Sequence, residues 1–191
     1  MAKEGLFSEA LRNARQKSGR PDYQADARDG AQMLRDVATF EKGIDMLGEA
    51  FYLDEASAYF GLADYFDSLG NAAEAEKARK LAADSVPEET ETKAPYGGPQ
   101  ITIGQILNVL KREVEERDAN VSKEIGSMGL PAYVARAMEN LSMAETFDDG
   151  LTQITLAFQL RQGNEVYSAL AAYYTSKGLD QMAEAAVNRA K

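Results

Sequence analysis

TFEKGIDMLGEAF (residues 39–51) and TFDDGLTQITLAF (residues 146–158) are the two stretches on which the reading of this chain turns. Set one above the other at an offset of 107 residues, they share Thr, Phe, Gly, Ala and Phe at the same steps, and Glu41 meets Asp148 while Ile44 meets Leu151. A second pair of stretches follows in the same order at an offset of 108: YFGLADYFDSLGNAAEAEKARKLA (59–82) and YSALAAYYTSKGLDQMAEAAVNRA (167–190). Here Tyr59/Tyr167, Leu62/Leu170, Tyr65/Tyr173, Ser68/Ser176 and Gly70/Gly178 coincide. An alanine-rich chain matches itself at Ala by composition alone, so the weight rests on the aromatic, Gly and Thr-Phe positions. Two blocks in one order at nearly one offset predict an internal duplication.

The periodicity around these blocks is helical. Met33, Val37, Phe40, Ile44, Leu47 and Phe51 recur at steps of four and three, a spacing that keeps one apolar stripe along a helix. It predicts a long helix over about 23–51, and a second over about 132–160 in the other half. Helices over Glu55–Leu69 and Glu74–Ala83 then turn at Gly70-Asn71, and Glu165–Ser176 and Leu179–Lys191 turn at Lys177-Gly178. Glycine at such a turn suits a helix C-cap, where a positive φ is cheap. Ile101 to about Ile125 reads as a further helix with Ile103, Ile106, Leu110 and Val114 on one face, and Pro131 suits a first helical turn. The stretch SVPEETETKAPYGGPQ (85–100) has the composition of a linker. The expected fold class is all-α: a tandemly duplicated helical bundle, each half a long helix plus a Gly-turned helix hairpin. Residues 1–84 form the first half, 85–100 the linker and 101–191 the second half.

Two family resemblances sit on the hairpins. EASAYFGLADYFDSLGNAAEAEKARKLA (55–82) resembles a tetratricopeptide unit at Ala63, Tyr65, Gly70 and Ala75; such units stack as arrays at a period of about 34 residues, which the following helices do not continue. VYSALAAYYTSKGLDQMAEAAV (166–187) is similar to the first hairpin of ferritin-like proteins, which hold two metals through glutamates and a Glu-x-x-His motif. This chain has no His, so the ligand set that the resemblance implies is incomplete.

Composition excludes several chemistries. With no Cys, His or Trp there is no disulfide, no thiolate or imidazole catalyst and no ordinary zinc site. A net charge of −10 argues against a basic groove for nucleic acid. No apolar run is long enough for a transmembrane span, and peripheral membrane contact is not expected. The start of the chain lacks the apolar region of a signal peptide, so a cytoplasmic protein, or one within a macromolecular assembly, is expected. No phosphate-binding, metalloprotease, EF-hand or serine-nucleophile pattern occurs. The expectation is therefore a non-enzymatic structural or adaptor protein without cofactor, acting through a protein partner or self-association.

Candidate residues follow from the same reading. Gly43 and Gly150 interrupt predicted helices where Gly costs about 1 kcal/mol against Ala, which points to close helix crossing. Together with Phe40 and Phe147 they are expected to mark where the halves meet. Tyr59, Tyr65, Tyr167 and Tyr173 form aromatic stripes suited to an interface. Lys3, Arg12, Arg15, Lys17 and Arg20, with Leu6, Ala10 and Leu11, make a basic amphipathic docking arm. Glu41, Asp45 and Glu49 share a helix face, and with Asp148 they are the residues a carboxylate-rich metal-binding, ferritin-like alternative would use. A carrier of an apolar ligand, lined by Phe40, Phe147, Tyr59 and Tyr167, is the other alternative.

Overall fold

The computed structural model describes residues 22–85 and 103–191, with the side chains of 103–113 left aside. The chain divides into two compact units, Met1–Val86 and Pro87–Lys191. In the first, α1 (Tyr23–Met33), α2 (Phe40–Leu53), α3 (Glu55–Ser68) and α4 (Ala72–Asp84) follow one another. In the second, α5 (Ile103–Met128) leads into α6 (Leu130–Asn140), a single 3-10 turn (Ala144–Thr146), α7 (Phe147–Leu160), α8 (Gly163–Ser176) and α9 (Asp180–Arg189). Every element among the described residues is helical, so the all-α class holds.

The last four helices of the second unit repeat the plan of the first. α1 and α6 are both 11 residues, α2 and α7 both 14, α3 and α8 both 14. In unit 1, α1 packs against α2 and α3, and α4 against α3; in unit 2, α6 packs against α7 and α8, and α9 against α8. The long α5, about 39 Å at 1.5 Å per residue, lies against α6 and α7. It ends at Gly129, whose φ of +84° turns the chain into α6, with Pro131 in the first turn of that helix. Arg136 of α6 reaches back to Glu124 of α5 at 2.7 Å.

The expected long helices do not exist. Each is two helices joined by a corner, over Leu34–Thr39 in unit 1 and Leu141–Thr146 in unit 2. Thr39 and Thr146 make these corners: the Thr39 hydroxyl donates to the Met33 carbonyl (2.9 Å), and the Thr146 hydroxyl to the Asn140 carbonyl (3.0 Å). Each of these carbonyls also accepts a backbone N–H, from Asp36 on Met33 and from Met143 on Asn140, so the hydroxyl adds a second bond that ties the end of the corner back to its start. The apolar spacing runs unbroken through the bend because Leu34, Val37 and Phe40 all turn inward, as do Leu141, Ala144 and Phe147. A corner that buries every third residue has the same signature as a helix face.

Gly43 and Gly150 explain how tightly the corner closes. A Cβ on Gly43 would stand 2.7 Å from the Gly30 carbonyl oxygen and 3.0 Å from Met33 Cβ. One on Gly150 would stand 2.7 Å from both the Ala137 oxygen and the Leu141 nitrogen. Close helix crossing was the expected reason for these glycines, but the crossing is α1 over α2, and α6 over α7, inside each unit. Phe40 and Phe147, fully buried at the first residues of α2 and α7, belong to the same corners.

The hairpins close as expected. Gly70 (φ +72°) and Gly178 (φ +70°) end α3 and α8. Asn71 N–H donates to the Phe66 carbonyl and Gly70 N–H to Asp67; Leu179 N–H donates to Tyr174 and Gly178 N–H to Thr175. Both are Schellman caps. Ala75, Ala78 and Ala82, and Ala183 and Ala186, then let α4 and α9 lie close on their partners.

Two glycines of α2 give opposite expectations. Gly43→Ala forces a methyl against backbone and should destabilise unit 1 by about 1–3 kcal/mol. Gly48 lies on the same helix, and a Cβ there would meet nothing within 4 Å. Its substitution by Ala should stabilise unit 1 by about 0.5–1 kcal/mol. Thermal and urea unfolding of the two variants would show the difference.

Candidate interaction surface

The predicted aromatic residues divide by depth. Tyr59 and Tyr167 are buried, each in an edge-to-face pair within its own unit: Phe51–Tyr59 at 5.0 Å and Phe158–Tyr167 at 5.4 Å between ring centroids. These pairs tie the end of α2 to α3 and the end of α7 to α8. The Tyr167 hydroxyl also accepts from Arg189 of α9 at 2.7 Å. Tyr65 and Tyr173 are half-buried, against Phe66 and Tyr174 respectively. Burial raises the Tyr65 phenol above its ordinary range while Arg35 opposes the shift, and burial raises Tyr173 with Glu139 adding to it. Neither phenol ionises near neutrality, so neither is a base.

The candidate metal ligands Glu41, Asp45, Glu49 and Asp148 all lie on exposed helix faces. Among the described residues no group of three or more carboxylates is placed to hold a metal ion. The bundle cores contain alanine, leucine and aromatic side chains where a ferritin-like centre would need acids. Phe40, Phe147, Tyr59 and Tyr167, expected to line a ligand space in the carrier alternative, are packed into the corners and ring pairs just described. The basic arm Lys3, Arg12, Arg15, Lys17 and Arg20, and the stretch 86–100 of the predicted linker, lie outside the described residues. Among the described residues no helix is long and apolar enough to cross a membrane.

Another set of side chains stands out. Tyr52, Leu53 and Phe60 are 88%, 51% and 41% exposed. Tyr52 and Phe60 each follow a member of the Phe51–Tyr59 pair, and Leu53 ends α2 at the corner with α3. The corner is one residue long: Asp54 closes α2 and, as N-cap of α3, accepts from the Ser57 N–H (3.0 Å) and the Ser57 hydroxyl (2.8 Å). In unit 2 the matching link has two residues, Arg161 and Gln162, and no side-chain cap. There the positions of Tyr52 and Phe60 are held by Gln159 and Ser168. Buried Phe40, Tyr59 and Leu62 recur as Phe147, Tyr167 and Leu170, whereas Tyr52 and Phe60 do not recur. That disagreement was visible in the aligned halves. It escapes a search for shared residues, because sharing selects for the core.

The surroundings of this corner are acidic. From Phe40 to Ser68 the sequence carries Glu41, Asp45, Glu49, Asp54, Glu55, Asp64 and Asp67 against Lys42, and Asp67 is ion-paired with Arg79 of α4. The start of α1 adds Asp22, Asp26 and Asp29. Asp26 is held above the usual carboxylate range by burial first, then by the negative fields of Asp22, Glu49 and Asp29. Gln24 donates to Asp64 at 2.8 Å. Gly61 of α3 lies so close to α1 that a Cβ there would collide with the Gln24 carbonyl and stand 2.8 Å from Ala27 Cβ. The beginning of α1 therefore abuts α3 one residue away from Phe60, and lies near the end of α2.

The chain matches no known family model, and no curated protein or solved structure is significantly similar to it.

Asp26 gives a test of this electrostatic picture. Its folded-state pKa is raised, so the ionised carboxylate opposes folding, and stability falls as pH rises through that pKa. Asp26→Asn should raise the melting temperature at pH 7, and the gain should vanish below the carboxylate range, where the native side chain is already protonated. Melting curves from pH 3 to 8 would check both sign and window.

Proposed function

We propose that this is a non-enzymatic structural or adaptor protein that acts within an assembly, and that its partner surface is the Tyr52–Leu53–Phe60 face of unit 1. The observation that carries this reading is the exposure of two large aromatic side chains and a leucine at positions where the related unit has Gln159, Leu160 and Ser168. Exposed aromatic residues supply rigid contact area at low entropic cost and dominate binding energy where a partner excludes water. The acidic residues around them steer a partner of opposite charge and set its orientation.

We read the two units as a tandem duplication, with matched corners, ring pairs and Schellman caps as its support. In that reading the core plan was kept in both copies while the surface of one was altered for binding. The packed tyrosines then belong to the shared plan, and the unshared aromatics belong to the function.

Native mass spectrometry of the protein purified from its own source tests the proposal. The expected result is a homo-oligomer or a stoichiometric protein complex, lost in the surface variant Tyr52→Glu/Phe60→Glu, whose melting temperature should stay close to that of the parent. A monomer carrying a stoichiometric metal or organic mass would overturn it.

A further inference from the structure

Resting on the reading of Tyr52, Leu53 and Phe60 as a partner surface, we infer that the partner is a different protein that lays a helix across the outer side of α2 at Gly48 and brings lysine or arginine to Asp45 and Glu49. The first observation is a glycine with no use inside its own unit. Glycine in a helix interior destabilises the helix, and elsewhere in this molecule it has a visible reason. Gly30 and Gly43 let α1 and α2 cross, Gly61 lets α3 lie against α1, and Gly150 lets α7 lie against α6. Gly48 stands in the middle of α2 and is exposed, and a Cβ there would meet nothing within 4 Å. Gly126 and Gly163 are equally open, but they lie in the last turn of α5 and at the first residue of α8, where glycine disturbs a helix little. The matching position of α7 is Thr155, so the plan common to the two units does not call for glycine here. The open side of Gly48 suits a backbone approach of the kind that Gly43 makes on α1.

The second observation is what surrounds this glycine. Asp45, Gly48, Glu49 and Tyr52 share one side of α2 at helical spacing, and all four are exposed. Tyr52, one turn beyond Gly48 and 88% exposed, gives rigid apolar area to a helix packed there. Asp45 and Glu49 form no ion pair among the described residues, and Lys42, the one cation of α2, is paired with neither. After burial and Asp22, Glu49 is the next cause that holds Asp26 above the usual carboxylate range, so its charge acts on its neighbours without a cation beside it. A lysine or arginine placed between Asp45 and Glu49 meets both charges. A second copy crossing by the same face would bring two further acids to the same place, and like charges set against each other repel; this selects a different protein. A strand is not suited, because the peptide groups of α2 are bonded within the helix and leave no edge to extend.

The test uses the full chain and its complex from the protein's own source. Gly48→Leu puts a large side chain at the crossing. The expected result is a fall of about tenfold or more in the fraction of chain found in a hetero-complex by native mass spectrometry, with a melting temperature no lower than that of the parent. Asp45→Lys/Glu49→Lys, which alters only exposed side chains, should lose the complex as well, and it decides the matter if Gly48→Leu disturbs the fold. The chain has no cysteine, so a photo-cross-linker on Lys42→Cys reports a single position; it should join a helix of the partner within a turn of a lysine or arginine. A complex retained in Asp45→Lys/Glu49→Lys, or in a folded Gly48→Leu, would overturn the inference. So would a cross-link to an extended or acidic segment, or a homo-oligomer in place of a hetero-complex. Each of these leaves the aromatic face standing as a partner surface where Tyr52→Glu/Phe60→Glu still loses the complex, whereas finding no protein complex at all sinks both readings.

Discussion

Each unit is organised by one backbone contact. Where α2 crosses α1, the Gly43 Cα sits against the Gly30 carbonyl, and where α7 crosses α6, the Gly150 Cα sits against the Ala137 carbonyl. No larger residue allows this approach, and much else follows from it. The corner before the crossing turns Leu34, Val37 and Phe40 inward, and the threonine hydroxyl bonds back to the carbonyl at its start. The end of α2 is then placed so that Phe51 meets Tyr59 edge to face. A second close approach, Gly61 of α3 against α1, holds α3 across the first pair, and α4 docks on α3 through buried alanines and an Arg79–Asp67 ion pair. Side-chain burial supplies the energy, but backbone proximity at two glycines decides which side chains can meet.

Much of this plan was legible in the residues. Gly70 and Gly178 announce their caps because a positive φ leaves few alternatives to glycine. The reason for Gly43 and Gly150 was legible too, since a mid-helix glycine that costs stability points to a close neighbour. Its partner was not legible, because a steric vacancy carries no label for the helix that fills it. The corners were hidden for a related reason. The stripe from Met33 to Phe51 keeps its period through the bend, and Thr39 reads equally well as a helix residue or as a hydroxyl donor to a carbonyl six residues back. Only the fold shows that this hydroxyl bonds back to the last residue of α1.

The surface was harder to read than the core, and Tyr52 and Phe60 show why. In sequence each is the neighbour of a buried aromatic, Phe51 and Tyr59, so the four together look like one packed cluster. A helix rotates by about 100° per residue, which carries the following residue off the buried face. Adjacent aromatic residues on a helix therefore cannot both point the same way. One member of each pair secures the corner, and the other is left outside. The opposite case is Glu41, Asp45 and Glu49, whose shared face was legible from spacing and whose exposure was set by what packs on the other side of α2.

The Gln24–Asp64 bond that ties α1 to α3 spans forty residues, and α1 to α4 take up only residues 23–84. A chain emerging from the ribosome grows at about 5–20 residues per second, and domains fold as units during synthesis with the earlier one first. All the pieces of the first core are available before α6 to α9 have been made. The first three helices of this unit match α6, α7 and α8 in length, and its hairpin shares a glycine C-cap with that of α8 and α9, so α1 to α4 find one another before any helix of similar length and cap has been made.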